Sequence, residues 1–160
     1  MNVRSQVYLS FIIDNYETLP CLNRLALSRA GYISLRFWGP GVFRKEAEAA
    51  IAGNWRQILP GEQLPDTIAS QCCAQFAVTR QAILRRPKAD YERMRQWLID
   101  TLLVDDVSGR VFEKLWAYIF TGEAVHCPPP QQCACEYFGR CEERTWTQPP
   151  ESLATLPSWP

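Results

Sequence analysis

The sequence predicts an α/β fold with a small or incomplete sheet, packed C-terminal helices and an irregular Cys/Pro-rich tail. Three observations lead there. Short runs rich in β-branched and aromatic residues alternate with stretches carrying apolar residues at helical spacing, the pattern of strands layered on helices. Two amphipathic segments follow one another directly between Lys88 and Phe120. Beyond them, seven of the twelve prolines and four of the seven cysteines fall after residue 126 of a 160-residue chain. Proline removes a backbone donor and fixes φ, so that last stretch is read as irregular. The expected organisation is one α/β body over residues 1–120 and a Cys/Pro-rich segment over 121–160, stapled by disulfides and mobile at its end.

Gln6 to Ile13 is rich in β-branched and aromatic residues and ends at Asp14-Asn15, the profile of a buried strand with a polar C-terminal edge. Cys21 to Ala30 carries leucines at helical spacing and stops at Gly31, a C′ glycine. Tyr32 to Trp38 alternates and is bounded by Gly39-Pro40-Gly41, which predicts a second strand. Phe43, Ala47, Ala50, Ile51 and Trp55 share one face of a predicted helix. Pro60-Gly61 and Pro65 mark a loop. Gln71 to Val78 reads as a third short strand, followed by a helix through Leu84 with Thr79 as its cap and Pro87 as its stop. Lys88 to Leu103 places Tyr91, Met94, Leu98 and Leu102 on one stripe. Val107 to Phe120 does the same with Val107, Val111, Leu115, Tyr118 and Ile119. The short link Val104-Asp105-Asp106 predicts near-antiparallel packing of these two helices, with the aspartates starting the second one by capping and through its dipole.

Composition narrows the class of function. Lys+Arg and Asp+Glu both number 17, a formal net charge of +0, which argues against nucleic acid or an anionic membrane surface as partner. No uninterrupted apolar run approaches the ~20 residues that span a bilayer. Val7 to Ile13 is broken by Ser10 and lacks the flanks of a secretion signal. No phosphate-cradling loop, nucleophile elbow or His-Glu zinc motif occurs.

The chemistry-bearing residues are therefore cysteines and carboxylates. Cys127, Cys133, Cys135 and Cys141 are spaced as C-x5-C-x-C-x5-C, a poor match to the paired knuckles of thiolate zinc sites. Disulfides closing small loops fit the proline-rich context better, with zinc and free thiols as the alternatives. Cys72 and Cys73 are adjacent and unsuited to bonding each other, so one is expected to pair across, toward the tail. No metal ligand set is assigned. His126 is the one histidine, at the edge of the irregular segment with no orienting partner in sequence. Asp14 lies where a strand ends, the place ligands favour in open sheets, against the alternative of a simple Asx turn. Glu113 sits mid-helix between Phe112 and Leu115-Trp116, positioned to act as a base, against the alternative of a solvated glutamate pairing with Arg110 or Arg144. Arg80, Arg85, Arg86 and Lys88 read as a solvated basic face.

Several blocks resemble one family. Phe11-Ile12-Ile13-Asp14-Asn15-Tyr16-Glu17-Thr18-Leu19-Pro20 looks like the opening of domain-of-unknown-function family 3431, found largely in fungi. Cys72-Cys73-Ala74-Gln75-Phe76-Ala77-Val78 with Thr79-Arg80-Gln81-Ala82-Ile83, then Arg86-Pro87 and Tyr91-Glu92, match it more specifically. So do Ser108-Gly109-Arg110-Val111-Phe112-Glu113-Lys114-Leu115-Trp116 and Cys133-Ala134-Cys135-Glu136-Tyr137-Phe138-Gly139-Arg140-Cys141. The resemblance, over residues 7–141, implies a general layout like that of two-layered nucleotide-sugar glycosyltransferases and a location in the secretory lumen. By that analogy Glu113 is the catalytic base, and Asp14, Asn15 and Gln75 line the donor or acceptor cleft of a sugar or glycan ligand. A divalent cation is implied only if the chain is such a transferase. Between Pro20 and the next strand the family carries a longer, histidine-containing stretch and often an upstream anchor, so a shortened member is expected, either inactive or serving as a non-catalytic binding or structural domain.

Overall fold

The computed structural model describes residues 3–14, 16, 31–34, 45–70, 74–128 and 135. Five helices and two separate two-stranded sheets make up this part. The helices are α1 (Val3–Asp14), α2 (Lys45–Ile58), α3 (Arg80–Ile83), α4 (Lys88–Asp100) and α5 (Asp105–Thr121). The strands are β1 (Tyr32–Ser34), β2 (Ala69–Ser70), β3 (Phe76–Val78) and β4 (Val125–His126). The mixed class and the small sheet are as the sequence predicts.

The first element differs. Residues 6–13 are helical, not a strand, and the burial pattern gives the reason. A strand would put residues 7, 9, 11 and 13 on one face. Instead Leu9 and Ile13 are buried with Ile12, while Val7 and Phe11 are 58% and 52% exposed. Leu9, Ile12 and Ile13 stand at i, i+3 and i+4, the stripe that a helix lays on a neighbour. That neighbour is chiefly α4. Tyr16, just past the end of α1, meets the Tyr91 ring near the start of α4 at 6.2 Å, so the two helices run in opposite directions. The tertiary contact overrides the β-propensity of a short apolar run.

The helix expected over 21–30 lies outside the described residues, as do residues 35–38 of the second strand. Gly31 has the left-handed φ of 71° that a C′ position asks for. β1 and β3 pair antiparallel, with Tyr32 opposite Val78 and Ser34 opposite Phe76. The third predicted strand is thus realised at Phe76–Val78. Ala69–Ser70 forms a strand that sequence reading missed, parallel to β4 with Ala69 opposite Val125. Thr79 caps α3 as expected, its Oγ1 accepting from the Ala82 N–H at 3.1 Å.

α2 buries Ala47, Ala50, Ile51 and Trp55 as predicted, and runs on to bury Ile58. α4 ends three residues before the expected Leu103. Thr101 has an extended ψ of 138°, and its Oγ1 accepts from the Leu103 N–H, a local bond that competes with the helical ladder. Leu102, expected on the buried stripe, is consequently exposed, and Trp97 takes a buried place beside Tyr91, Met94 and Leu98. α4 and α5 are not the closest neighbours that their short link suggested. α2 packs against both, and α4 meets α5 through Trp97 against Phe112 at 5.9 Å. Asp105 and Asp106 occupy the first turn of α5 but do not cap it. Val104 holds the cap position with no side-chain bond, so the aspartates favour the helix through its dipole and not as its cap. At the other end Gly122 adopts φ 76° and its N–H donates to the Tyr118 carbonyl. The core is centred on α5, where Phe112, Leu115, Trp116, Ile119 and Phe120 are fully buried.

Candidate functional site

Glu113 lies on α5 one turn before Trp116. It is half-buried and makes no hydrogen bond or ion pair with the described residues; Arg110, its expected partner, instead reaches Asp106 at 3.2 Å. Arg144, the other expected partner, lies outside the described residues. The turn that holds Glu113 is bracketed by two tethers. On one side Ser70 Oγ donates to the Lys114 carbonyl at 3.4 Å. On the other, the Tyr8 hydroxyl donates to the Ala74 carbonyl at 2.9 Å, and the Tyr8 ring stands edge-on to Trp116 at 6.0 Å. Gln75 follows Ala74 directly and is exposed. Gln75 is thus one residue from the Ala74 that Tyr8 holds, and Glu113 three residues from the Trp116 that the Tyr8 ring meets.

Asp14 is not gathered there. It is exposed at the far end of α1, six residues or about 9 Å of helix from Tyr8. Asn15 lies outside the described residues. Among the described residues no three His, Cys, Asp or Glu side chains group as metal ligands, so nothing here offers a cation site for the transferase analogy.

The most elaborate polar cluster was not foreseen. Arg86, expected on a solvated face, has only 12% of its side chain exposed. Its Nη1 reaches Glu62 Oε1 at 2.5 Å and its Nε donates to the Ile119 carbonyl at 2.8 Å, while the neighbouring Arg85 caps the Thr121 carbonyl. The Tyr118 hydroxyl donates to the other Glu62 oxygen at 2.8 Å, Trp55 Nε1 donates to the Glu62 carbonyl, and the Tyr16 hydroxyl donates to the Arg86 carbonyl. Burial works against ionisation of Glu62, but the bonds from Arg86 and Tyr118 and the Arg86 charge prevail and hold its carboxyl below the ordinary value. Tyr118, desolvated and bonded to that carboxylate, is pushed up to about 12. The cluster locks the C-terminal end of α5 to α2 and the loop after it. No local signal in the sequence links Glu62 to Arg86, 24 residues on.

His126 acquires the partner the sequence withheld: its Nδ1 lies 2.8 Å from Glu123 Oε2, and its ring stands edge-on to Tyr32 at 5.7 Å. Cys127, expected among the disulfide formers, is a free and exposed thiol, raised from its ordinary value by partial burial. It sits directly after β4, where pairing to β2 fixes the backbone. Cys135 is engaged by a partner that is not among the described residues. Cys72, Cys73, Cys133 and Cys141 lie outside them. None of the described helices is long and apolar enough to cross a membrane.

Neither the curated proteins nor the solved structures contain a match to this chain. Residues 21–136 match the family described as protein of unknown function (DUF3431). That span takes in the Cys72–Val78 and Ser108–Trp116 blocks and starts just after the Phe11–Pro20 block. With most of its length covered, including every described strand, the chain belongs to the DUF3431 family.

Proposed function

We propose that this DUF3431 protein handles sugars at a glycosyltransferase-like site in which Glu113 is the base. The observation that supports the reading is a half-buried carboxylate, Glu113, with no partner among the described residues, three residues before Trp116, whose ring the Tyr8 ring meets edge-on. In transfer from a nucleotide-sugar, Glu113 takes the proton of an acceptor hydroxyl as its oxygen bonds to the anomeric carbon. The bond from that carbon to the nucleoside diphosphate breaks, and its electron pair leaves with the phosphate. Gln75 orients hydroxyls of the bound sugar, while Asp14 stays apart at the far end of α1. No step is routed through a cation.

The test is thermal stabilisation by a panel of nucleotide-sugars, with and without manganese or magnesium. Stabilisation by one donor, lost in Glu113→Gln, supports the transferase. A flat response across the panel sinks it. A second reading, a non-catalytic luminal or secreted binding domain, is favoured by the position of Asp14, which leaves the described site without a gathered donor side. We assign the chain to a body over residues 1–120 and a tail over 121–160 stapled through Cys133, Cys135 and Cys141, with Cys72 or Cys73 as a cross-partner; the engagement of Cys135, which carries no titrating thiol, supports this. Intact mass after alkylation without reductant tests it, and seven alkylated thiols would exclude the stapled tail and the luminal location together.

A further inference from the structure

We infer that Tyr8 is a stacking platform for a pyranose ring, next to the segment that carries Gln75. The choice of ligand class rests on the sugar-handling reading above, while the platform itself rests on geometry.

A surface tyrosine ordinarily lays its ring on the protein and gives its hydroxyl to water. Tyr8 differs at its hydroxyl. Its hydroxyl is spent on the Ala74 carbonyl, 66 residues away in sequence, while the residue remains 38% exposed. The ring is also backed on two sides, by Phe76 at 5.4 Å between centroids and by Trp116 at 6.0 Å. Phe76 and Trp116 in turn lie 5.5 Å apart, and Trp116 stacks on Phe120 with an interplanar angle of 10°. An exposed aromatic surface is thus held rigid by one hydrogen bond and a buried aromatic column. Within that column the Trp116 indole N–H is buried without a hydrogen-bond partner.

The surroundings select among ligands. One face of a pyranose is a patch of C–H groups that gains dispersion contact over an aromatic ring, at no rotamer cost if that ring is already fixed. Its equatorial hydroxyls ask for planar donors and acceptors at the rim. Gln75, next to the Ala74 whose carbonyl Tyr8 holds, offers an exposed amide with both. Val7, exposed one residue earlier on α1, adds an apolar edge.

The experiment is saturation-transfer NMR on the full chain, with methyl β-D-glucopyranoside, methyl α-D-mannopyranoside, N-acetylglucosamine and uridine as probes. The expected result is transfer to the axial C–H protons of at least one pyranoside, with affinity at least tenfold weaker in Tyr8→Ala. Tyr8→Phe keeps the ring and loses the tether, and is expected to weaken binding two- to fivefold. Shift changes at the Tyr8 ring and the Trp116 indole in the wild-type chain give a readout that does not depend on the folding of Tyr8→Ala. Transfer to uridine alone, to no pyranoside, or to a pyranoside unaffected in Tyr8→Phe with no shift at Tyr8, overturns the platform. Pyranoside binding at Tyr8 without any nucleotide-sugar response keeps the platform and rejects the transferase. A donor response lost in Glu113→Gln but untouched by both Tyr8 variants does the opposite.

Discussion

Arg86 joins three parts of the chain at once: the Glu62 carboxylate, the last carbonyls of α5, and, through its own carbonyl, the Tyr16 hydroxyl. Removing it leaves a partly buried carboxylate and an open helix end, so Arg86→Ala is expected to lower the urea unfolding free energy by about 2–3 kcal/mol. Arg86→Lys should recover little of that, because an ammonium cannot serve Glu62 and Ile119 with one rigid fork. The pH dependence follows from the same group. Glu62 is more acidic folded than unfolded, so its stabilisation is present above the ordinary carboxylate range and is lost as pH falls through it. Glu62→Gln should flatten the acid limb of a stability–pH curve below about pH 5. Tyr118 acts in the opposite sense: its stabilisation holds below the ordinary tyrosine value and is lost as pH rises toward about 12. None of this was legible in the run Arg80, Arg85, Arg86, Lys88, because sequence shows four neighbouring cations and not which one faces inward. Thr79, by contrast, was legible, since a cap is a local device read three residues ahead.

At the scale of elements, legibility tracked periodicity and length. α2, α4 and α5 offered three or more turns of pattern and formed near where the spacing put them. Residues 6–13 offered a nearly continuous apolar run, in which helical and strand stripes coincide at Leu9 and Ile13. The two readings make different demands on Val7. In α1, Leu9→Ala is expected to cost about 2–4 kcal/mol and Val7→Ala less than about 0.5, measured by chemical denaturation. In a strand the two residues would share a face and both would be costly. Leu102 marks the other boundary that pattern alone could not place. Its spacing fitted the α4 stripe, but Thr101 had already turned the backbone out of the helix.

For the whole molecule, the architecture came from composition and alternation, and the pairings did not. β2 and β4 are two residues each, too short for any strand signal, and are joined across more than fifty residues. β4 belongs by sequence to the C-terminal segment and by geometry lies against the body, with His126 on Tyr32. A chain ending at Pro128 is therefore expected to melt several degrees above one ending at Thr121, a comparison that isolates β4. The candidate site shows the same division. Glu113 could be singled out from its residue type and neighbours, and Gln75 from the family resemblance alone, but the long-range bonds at Ser70 and Tyr8 are encoded by no local pattern.

The same long-range connections set a timetable for synthesis. α1 buries its apolar face against α4, and Tyr16 waits for Tyr91, 75 residues later. At roughly 5–20 residues per second a ribosome takes about 4–15 s to make that stretch. Throughout that interval Leu9, Ile12 and Ile13 have no native surface to cover them. α1 thus emerges as a sticky segment whose partner is made late, which makes it a client for chaperones that meet emerging polypeptides. Slowing elongation between α1 and α4 should prolong that dependence more than slowing it beyond α5.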